Sequence, residues 1–167
     1  MADFLSLDDV DLEGRTVLVR VDINSPMQPT GNVFLDDTRI RRIIPTINKL
    51  KNSKVVILAH QSRPGKYDFT STLGHARELG RLLGKNVKWV DDIYGKKALT
   101  AIEGLENGEI LMLNNVRMDE DEVKLKGDFE VFSQTMMVQN LSMAADAFVN
   151  DAFACAHRNS PSITGFK

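Results

Sequence analysis

KVVILA, Lys54 to Ala59, sets five apolar side chains behind a single lysine, with β-branched residues at its centre. A run this short and this uniformly apolar fits a strand buried on both faces better than a strand with one wet face. Strands of that kind belong to parallel sheets covered by helices. Upstream, TVLVRVD (Thr16 to Asp22) has the same character, and a turn-rich stretch from Asn24 to Asn32 follows, with Pro26, Pro29 and Gly31. Asp36 and Asp37 then stand where N-caps belong, ahead of a helix from about Thr38 to Lys51 that Pro45 should bend or break. Downstream, helical periodicity runs from Thr72 to Gly84, and a short strand is read over Val87 to Val90. A helix follows over Gly95 to Leu105, then a strand over Glu109 to Leu113 (EILML). One long helix is predicted from Phe129 to Ala144, capped by Asp128, and a last strand over Ala147 to Val149. The fold expected is α/β: a three-layer α/β/α Rossmann-like domain with a mostly parallel sheet. Residues 1–167 form one domain in this reading, without repeat, linker or low-complexity segment.

Bulk composition narrows the function. An apolar content of 43% and a charged content of 26% are ordinary for a globular domain able to bury a core. A net charge of −2 gives no basis for tracking a nucleic-acid backbone, so any positive site must be local. Every apolar run meets a charge before membrane-spanning length. The start MADFLSLDD is acidic and lacks the features of a signal peptide. The single cysteine, Cys155, has no partner for an internal disulfide, and a reducing cytoplasm is the expected compartment.

In parallel sheets ligands bind outside the carboxyl ends of the strands, so the residues that follow each strand carry the functional reading. After the first come Asp22 and Asn24; after the second, His60 and Arg63; after Leu113, Asn114, Asn115 and Arg117; after the last, Asn150, Asp151, His157 and Arg158. Three arginines on one edge call for an anion, and the guanidinium fork suits phosphate or carboxylate oxygens. Asp22 and Asn24 suit a hydroxyl. The implied ligand carries a phosphate and a hydroxyl, with a carboxylate as a further option. Taken singly, each residue has an ordinary explanation: a solvated charge, a cap, a turn former, or for His60 a hydrogen-bonded structural histidine. Four strand ends with the same chemistry make the case together.

Other constellations fail. His60, His75 and His157 lack metal-ligand spacing and no HExxH occurs, so no metal site is expected. Cys155 near His157 reads as a small buried thiol rather than a nucleophile. There is no GxGxxG, and Gly80 to Lys85 misses the phosphate-loop spacing and lies at a helix end.

Five of these segments resemble the N-terminal domain of the phosphoglycerate kinase family, in particular its archaeal branch. They are Val17 to Pro26 (VLVRVDINSP), Asp36 to Ile40 (DDTRI), Ala59 to Gly65 (AHQSRPG), Asn115 to Arg117 (NVR) and Val149 to Arg158 (VNDAFACAHR). The resemblance implies a domain that binds 3-phosphoglycerate, with magnesium–ATP or magnesium–ADP held by a C-terminal domain that this chain lacks. It implies reversible phosphoryl transfer between 1,3-bisphosphoglycerate and ADP in glycolysis and gluconeogenesis, by a monomer, with the isolated half inactive. By the same resemblance Asp22 and Asn24 hold the substrate hydroxyl, and Arg63, Arg117 and Arg158 the non-reacting phosphate, with His60 beside them. Arg39 lies along the carboxylate and steadies the group in flight; it is the one catalytic residue expected here. Gln61 and Ser62 depart from the leucine and glycine of the widespread family form, Asn114 from a glutamate and Met118 from a phenylalanine. The alternative function is a free-standing module that binds a phosphorylated acid without kinase activity.

Overall fold

In the computed structural model, residues 5–28 and 33–166 are described. Pro29, Gly31 and Asn32 of the turn-rich stretch, and the first four residues of the acidic start, lie outside them. Five strands form among the described residues: β1 (Thr16–Val21), β2 (Lys54–Leu58), β3 (Lys88–Trp89), β4 (Ile110–Met112) and β5 (Ala147–Asp151). They pair in the order β3-β4-β2-β1-β5, every pair parallel, with Val17 opposite Val55 on one side and Ala147 on the other.

Alternation along the central strands builds two cores, one on each face. Val17, Val19, Val21, Val55 and Ile57 pack with Ile40, Ile47, Ala76 and Leu79. Those partners come from α1 (Thr38–Arg42), α2 (Ile44–Lys49) and α3 (Leu73–Leu83). Leu18, Val56, Leu58 and Leu111 face the other way, onto Ala98 and Ile102 of α4 (Lys96–Glu103) and Met137 and Leu141 of α7 (Met136–Ala144). Both faces are covered and the sheet is all parallel, so the three-layer architecture read from KVVILA is the one that forms. Each fully buried aliphatic side chain contributes about 1.5–3 kcal/mol to this arrangement.

Two of the helical stretches are each divided in two, at Pro45 and at Thr135. At Pro45 the break, one of the two outcomes expected there, is what forms: α1 ends at Arg42 and α2 begins at Ile44, with Pro45 in its first turn, where a missing N–H costs nothing. The single long helix predicted over Phe129 to Ala144 is two, α6 (Phe129–Phe132) and α7. Thr135 divides them. Its hydroxyl donates to the Phe132 carbonyl at 2.8 Å and its backbone turns extended, which frees the same oxygen to cap α7. Two short helices were not read from the sequence, α5 (Glu120–Lys124) and α8 (Pro161–Thr164). No helix among the described residues is long and apolar enough to cross a membrane.

Candidate active site

The four strands followed by candidate ligands, β4, β2, β1 and β5, are contiguous in the sheet, and β3 stands outside them. Their carboxyl-end loops open on one cleft of about 630 Å³, whose walls include Arg20, Asn24, Arg63, Arg117, Glu122 and Arg158. Guanidinium groups that lie far apart in the chain therefore meet on a common rim.

The loops are laced together by their own polar groups. The Asn24 amide oxygen accepts from the Ser62 N–H at 2.8 Å, joining the β1 and β2 loops. Arg117 donates to the Ser62 carbonyl, joining the β4 loop to the same residue. Ser62 has a φ of 56°, the left-handed region that glycine adopts most easily. This is the position where the widespread family form carries glycine, and here the serine hydroxyl is held by Asp68 instead.

Asp22 lies at the end of β1, bonded to the Arg39 guanidinium from α1 and accepting from the Asn24 N–H at 3.2 Å. Its side chain is largely buried, whereas that of Arg39 is 43% exposed. Neither residue walls the cleft; the pair stands beside it, with Asp22 bridging to Asn24. His60 is 1% exposed, beneath the rim. Its Nδ1 lies 3.0 Å from an Arg20 guanidinium nitrogen, which fixes Nδ1 as the acceptor and leaves the ring proton on Nε2. Burial, with Arg20, Arg117, Arg158 and Arg39 around it, pushes the imidazole down to about 2.

Arg20 was not read from the sequence as a site residue, although a charge inside the otherwise apolar VLVRV run was the available signal. It is 2% exposed. Its Nε donates to the Ser162 hydroxyl at 3.0 Å, and that hydroxyl donates in turn to Glu122 at 2.6 Å. Glu122 also accepts from the Ser162 N–H at 2.8 Å and the Ser160 hydroxyl at 2.9 Å. Desolvation lowers the guanidinium below its ordinary value, and the charge of Glu122 opposes the shift. Arg117 is lowered by burial first and by Arg158 second. The charge of Glu122, in the same wall, opposes that shift.

Other strand-end residues serve the scaffold. The Asn115 amide donates to the carbonyls of Gln61 and Thr70, both at 2.8 Å. The Asn114 amide donates to Asp91 at 2.7 Å. Asn150 and Asp151, read as facing the same edge, line a separate groove against Leu5, Leu7 and Leu12. His157 is exposed and Cys155 is buried with a free thiol.

Two histidines make stability depend on pH. His75, buried in α3, is held down to about 4 by desolvation, as His60 is to about 2, against 6.5 for the free side chain. Below 6.5 the unfolded chain takes up protons that the folded chain refuses, so stability is full above that value and falls with acid. The expected slope is about 1.4 kcal/mol per pH unit for each histidine between about pH 6 and pH 4.5. Urea unfolding across that range measures it, and His75→Phe should remove roughly half.

The profile of the phosphoglycerate kinase family matches residues 7–167. The chain belongs to the phosphoglycerate kinase family. It is 50% identical over 165 residues to the phosphoglycerate kinase of Methanothermobacter thermautotrophicus, and 49% identical over 164 residues to that of Methanosarcina mazei. Each alignment covers 98% of this chain, and 40% and 39% of the two relatives respectively. The crystal structure of phosphoglycerate kinase from Pyrococcus horikoshii OT3 superposes with a TM-score of 0.92 at 41% identity, over 97% of this chain and 40% of that one. The phosphoglycerate kinase of Coxiella burnetii superposes with a TM-score of 0.73 at 31% identity, over 98% of this chain and 39% of that one. The chain thus spans about two fifths of the length of these phosphoglycerate kinases.

Proposed function

We propose that this chain is the phospho-acid half of a phosphoglycerate kinase, binding 3-phosphoglycerate or 1,3-bisphosphoglycerate in the arginine-walled cleft. The observation that carries the reading is the convergence of Asn24, Arg63, Arg117 and Arg158 from four separate strand ends onto that cleft. Arg63, Arg117 and Arg158 take the non-reacting phosphate, whose two negative charges relieve the mutual repulsion of the rim. Asp22 and Asn24 hold the hydroxyl, the acid accepting and the amide fixing direction. His60, neutral with its proton on Nε2, acts as a hydrogen-bond donor beside them. Arg39 lies along the carboxylate that becomes the acyl phosphate.

Magnesium–ADP or magnesium–ATP is the second substrate, held by the part of the relatives' length that this chain does not span, where the metal would neutralise phosphate charge. Phosphoryl transfer needs alignment and charge stabilisation more than covalent help. Arg39 supplies positive charge where negative charge spreads over the moving group. Division of the two substrates between two bodies makes closure a condition for reaction, so this chain alone binds and does not turn over.

Calorimetric titration with 3-phosphoglycerate and, separately, with magnesium–ATP tests the proposal. Heat from the first and none from the second is expected; silence to both would sink it. Arg63→Ala should weaken binding of 3-phosphoglycerate by about 1.5–3 kcal/mol, since one charged hydrogen-bond donor is removed. The same titration reads that loss.

A further inference from the structure

Gln61 is 0% exposed, although it sits in a loop at the edge of an open cleft. Its amide nitrogen donates to the Ser25 carbonyl at 3.0 Å, and its amide oxygen accepts from the Ser25 N–H at 3.1 Å. The side chain thereby pairs with the β1 loop as a neighbouring strand would. The same oxygen accepts from Nε2 of His75, in α3, at 3.0 Å. Its backbone carbonyl accepts from the Asn115 amide of the β4 loop at 2.8 Å. One buried residue is thus bonded to two other strand-end loops and to a helix. Its neighbours in sequence and space are those of the cleft: Asn24 precedes Ser25, Ser62 and Arg63 follow Gln61, and Arg117 is two residues beyond Asn115.

We propose that Gln61 is a positioning residue of the cleft, a buried clamp that fixes the β1, β2 and β4 loops against one another so that Asn24, Arg63 and Arg117 share one geometry. It touches no ligand and acts through the loops it holds. The leucine that the wider family carries here has the size but neither the donor nor the acceptor. In this chain it would leave the Ser25 N–H, the Ser25 carbonyl and the His75 Nε2–H buried and unpaired. His75 is the matching half of the clamp, since its ring donates to the same amide oxygen that accepts from the Ser25 N–H. Loosening the clamp lets the loops drift, and a drift of this kind degrades contacts that depend on several groups meeting at once.

The effect on ligand rests on the phospho-acid reading, and the clamp itself does not. The test is Gln61→Met in the full chain, with folding checked by circular dichroism. The amide exchange rate of Ser25 is read by NMR, and 3-phosphoglycerate affinity by calorimetry, with and without Arg63→Ala. Faster exchange at Ser25 is expected, with binding about tenfold weaker. Arg63→Ala should then cost much less in the variant than in the unaltered chain, because a misplaced arginine has less to lose. An unchanged Ser25 exchange rate would overturn the clamp whether or not the phospho-acid binds. Weaker binding that simply adds to the loss from Arg63→Ala would overturn positioning in favour of a general structural role. If the unaltered chain binds no 3-phosphoglycerate, the functional reading fails while Ser25 exchange still decides the clamp. Should Gln61→Met not fold, His75→Phe removes one donor and keeps a ring against Phe34, the two ring centroids being 4.6 Å apart and the rings edge to face. The same coupling is then expected at about threefold, and its absence counts against the proposal.

Discussion

Glu122→Ala is expected to lower the free energy of unfolding by about 3–5 kcal/mol, more than any change on the outer face of the cleft. The reason lies in what the carboxylate leaves behind. Arg20 is completely buried, and its charge is answered across the Ser162 hydroxyl by Glu122, itself only 8% exposed. Without the carboxylate, a buried guanidinium loses the strongest of its opposing charges, and the Ser160 and Ser162 hydroxyls and the Ser162 N–H lose their acceptor. Removal of one partner of a buried ionic network costs far more than removal of both. Arg20→Met with Glu122→Leu should therefore recover most of the loss, although the cleft would bind anions poorly. Urea denaturation of the three proteins at neutral pH gives the comparison. A loss below about 1 kcal/mol for Glu122→Ala would mean that water reaches Arg20.

In a full-length protein carrying this chain, Arg39→Ala is expected to lower kcat by about 10²–10³, with KM moving much less. Arg39 stands beside the cleft rather than in its wall, tied by one arm to Asp22 and 43% exposed elsewhere. On the phospho-acid reading proposed above, a group at the edge of the cleft, held by a carboxylate, suits charge that develops only as the phosphoryl group moves. Arg39→Lys should restore a small part of the rate, since the charge returns without the fork. Steady-state kinetics in both directions decides the matter. A change confined to KM would assign Arg39 to substrate binding alone.

The strands are legible because KVVILA and TVLVRV leave no other home for so many β-branched side chains, and the sheet they imply is the sheet that forms. The rim is legible because it follows from strand polarity alone: Asn24, Arg63, Arg117 and Arg158 each lie a few residues past a strand end. What the sequence hides is hidden for physical reasons. Arg20 sits at a strand position that is normally apolar, and only a third residue, Ser162, joined to a distant acid, makes its burial possible. Thr135 splits a continuous helical pattern because its hydroxyl competes for a carbonyl, an effect that periodicity does not register. Asn114 and Asn115 have the chemistry of ligands and are instead spent on loop carbonyls and Asp91. Asx side chains near strand ends look alike until the backbone they satisfy is known.

β1 is the spine of the sheet, paired on one side with β2 and on the other with β5, whose first residue lies 130 positions further along the chain than its partner Val17. A ribosome-bound chain meets the near partner early and the distant one only after more than a hundred further residues have been added. Until then β1 presents an open hydrogen-bonding edge, a site for mispairing with other nascent chains. Arg158, which follows β5, reaches its companions last. The arginine-walled cleft is therefore completed only once β5 has joined the sheet, late in the assembly of this sheet.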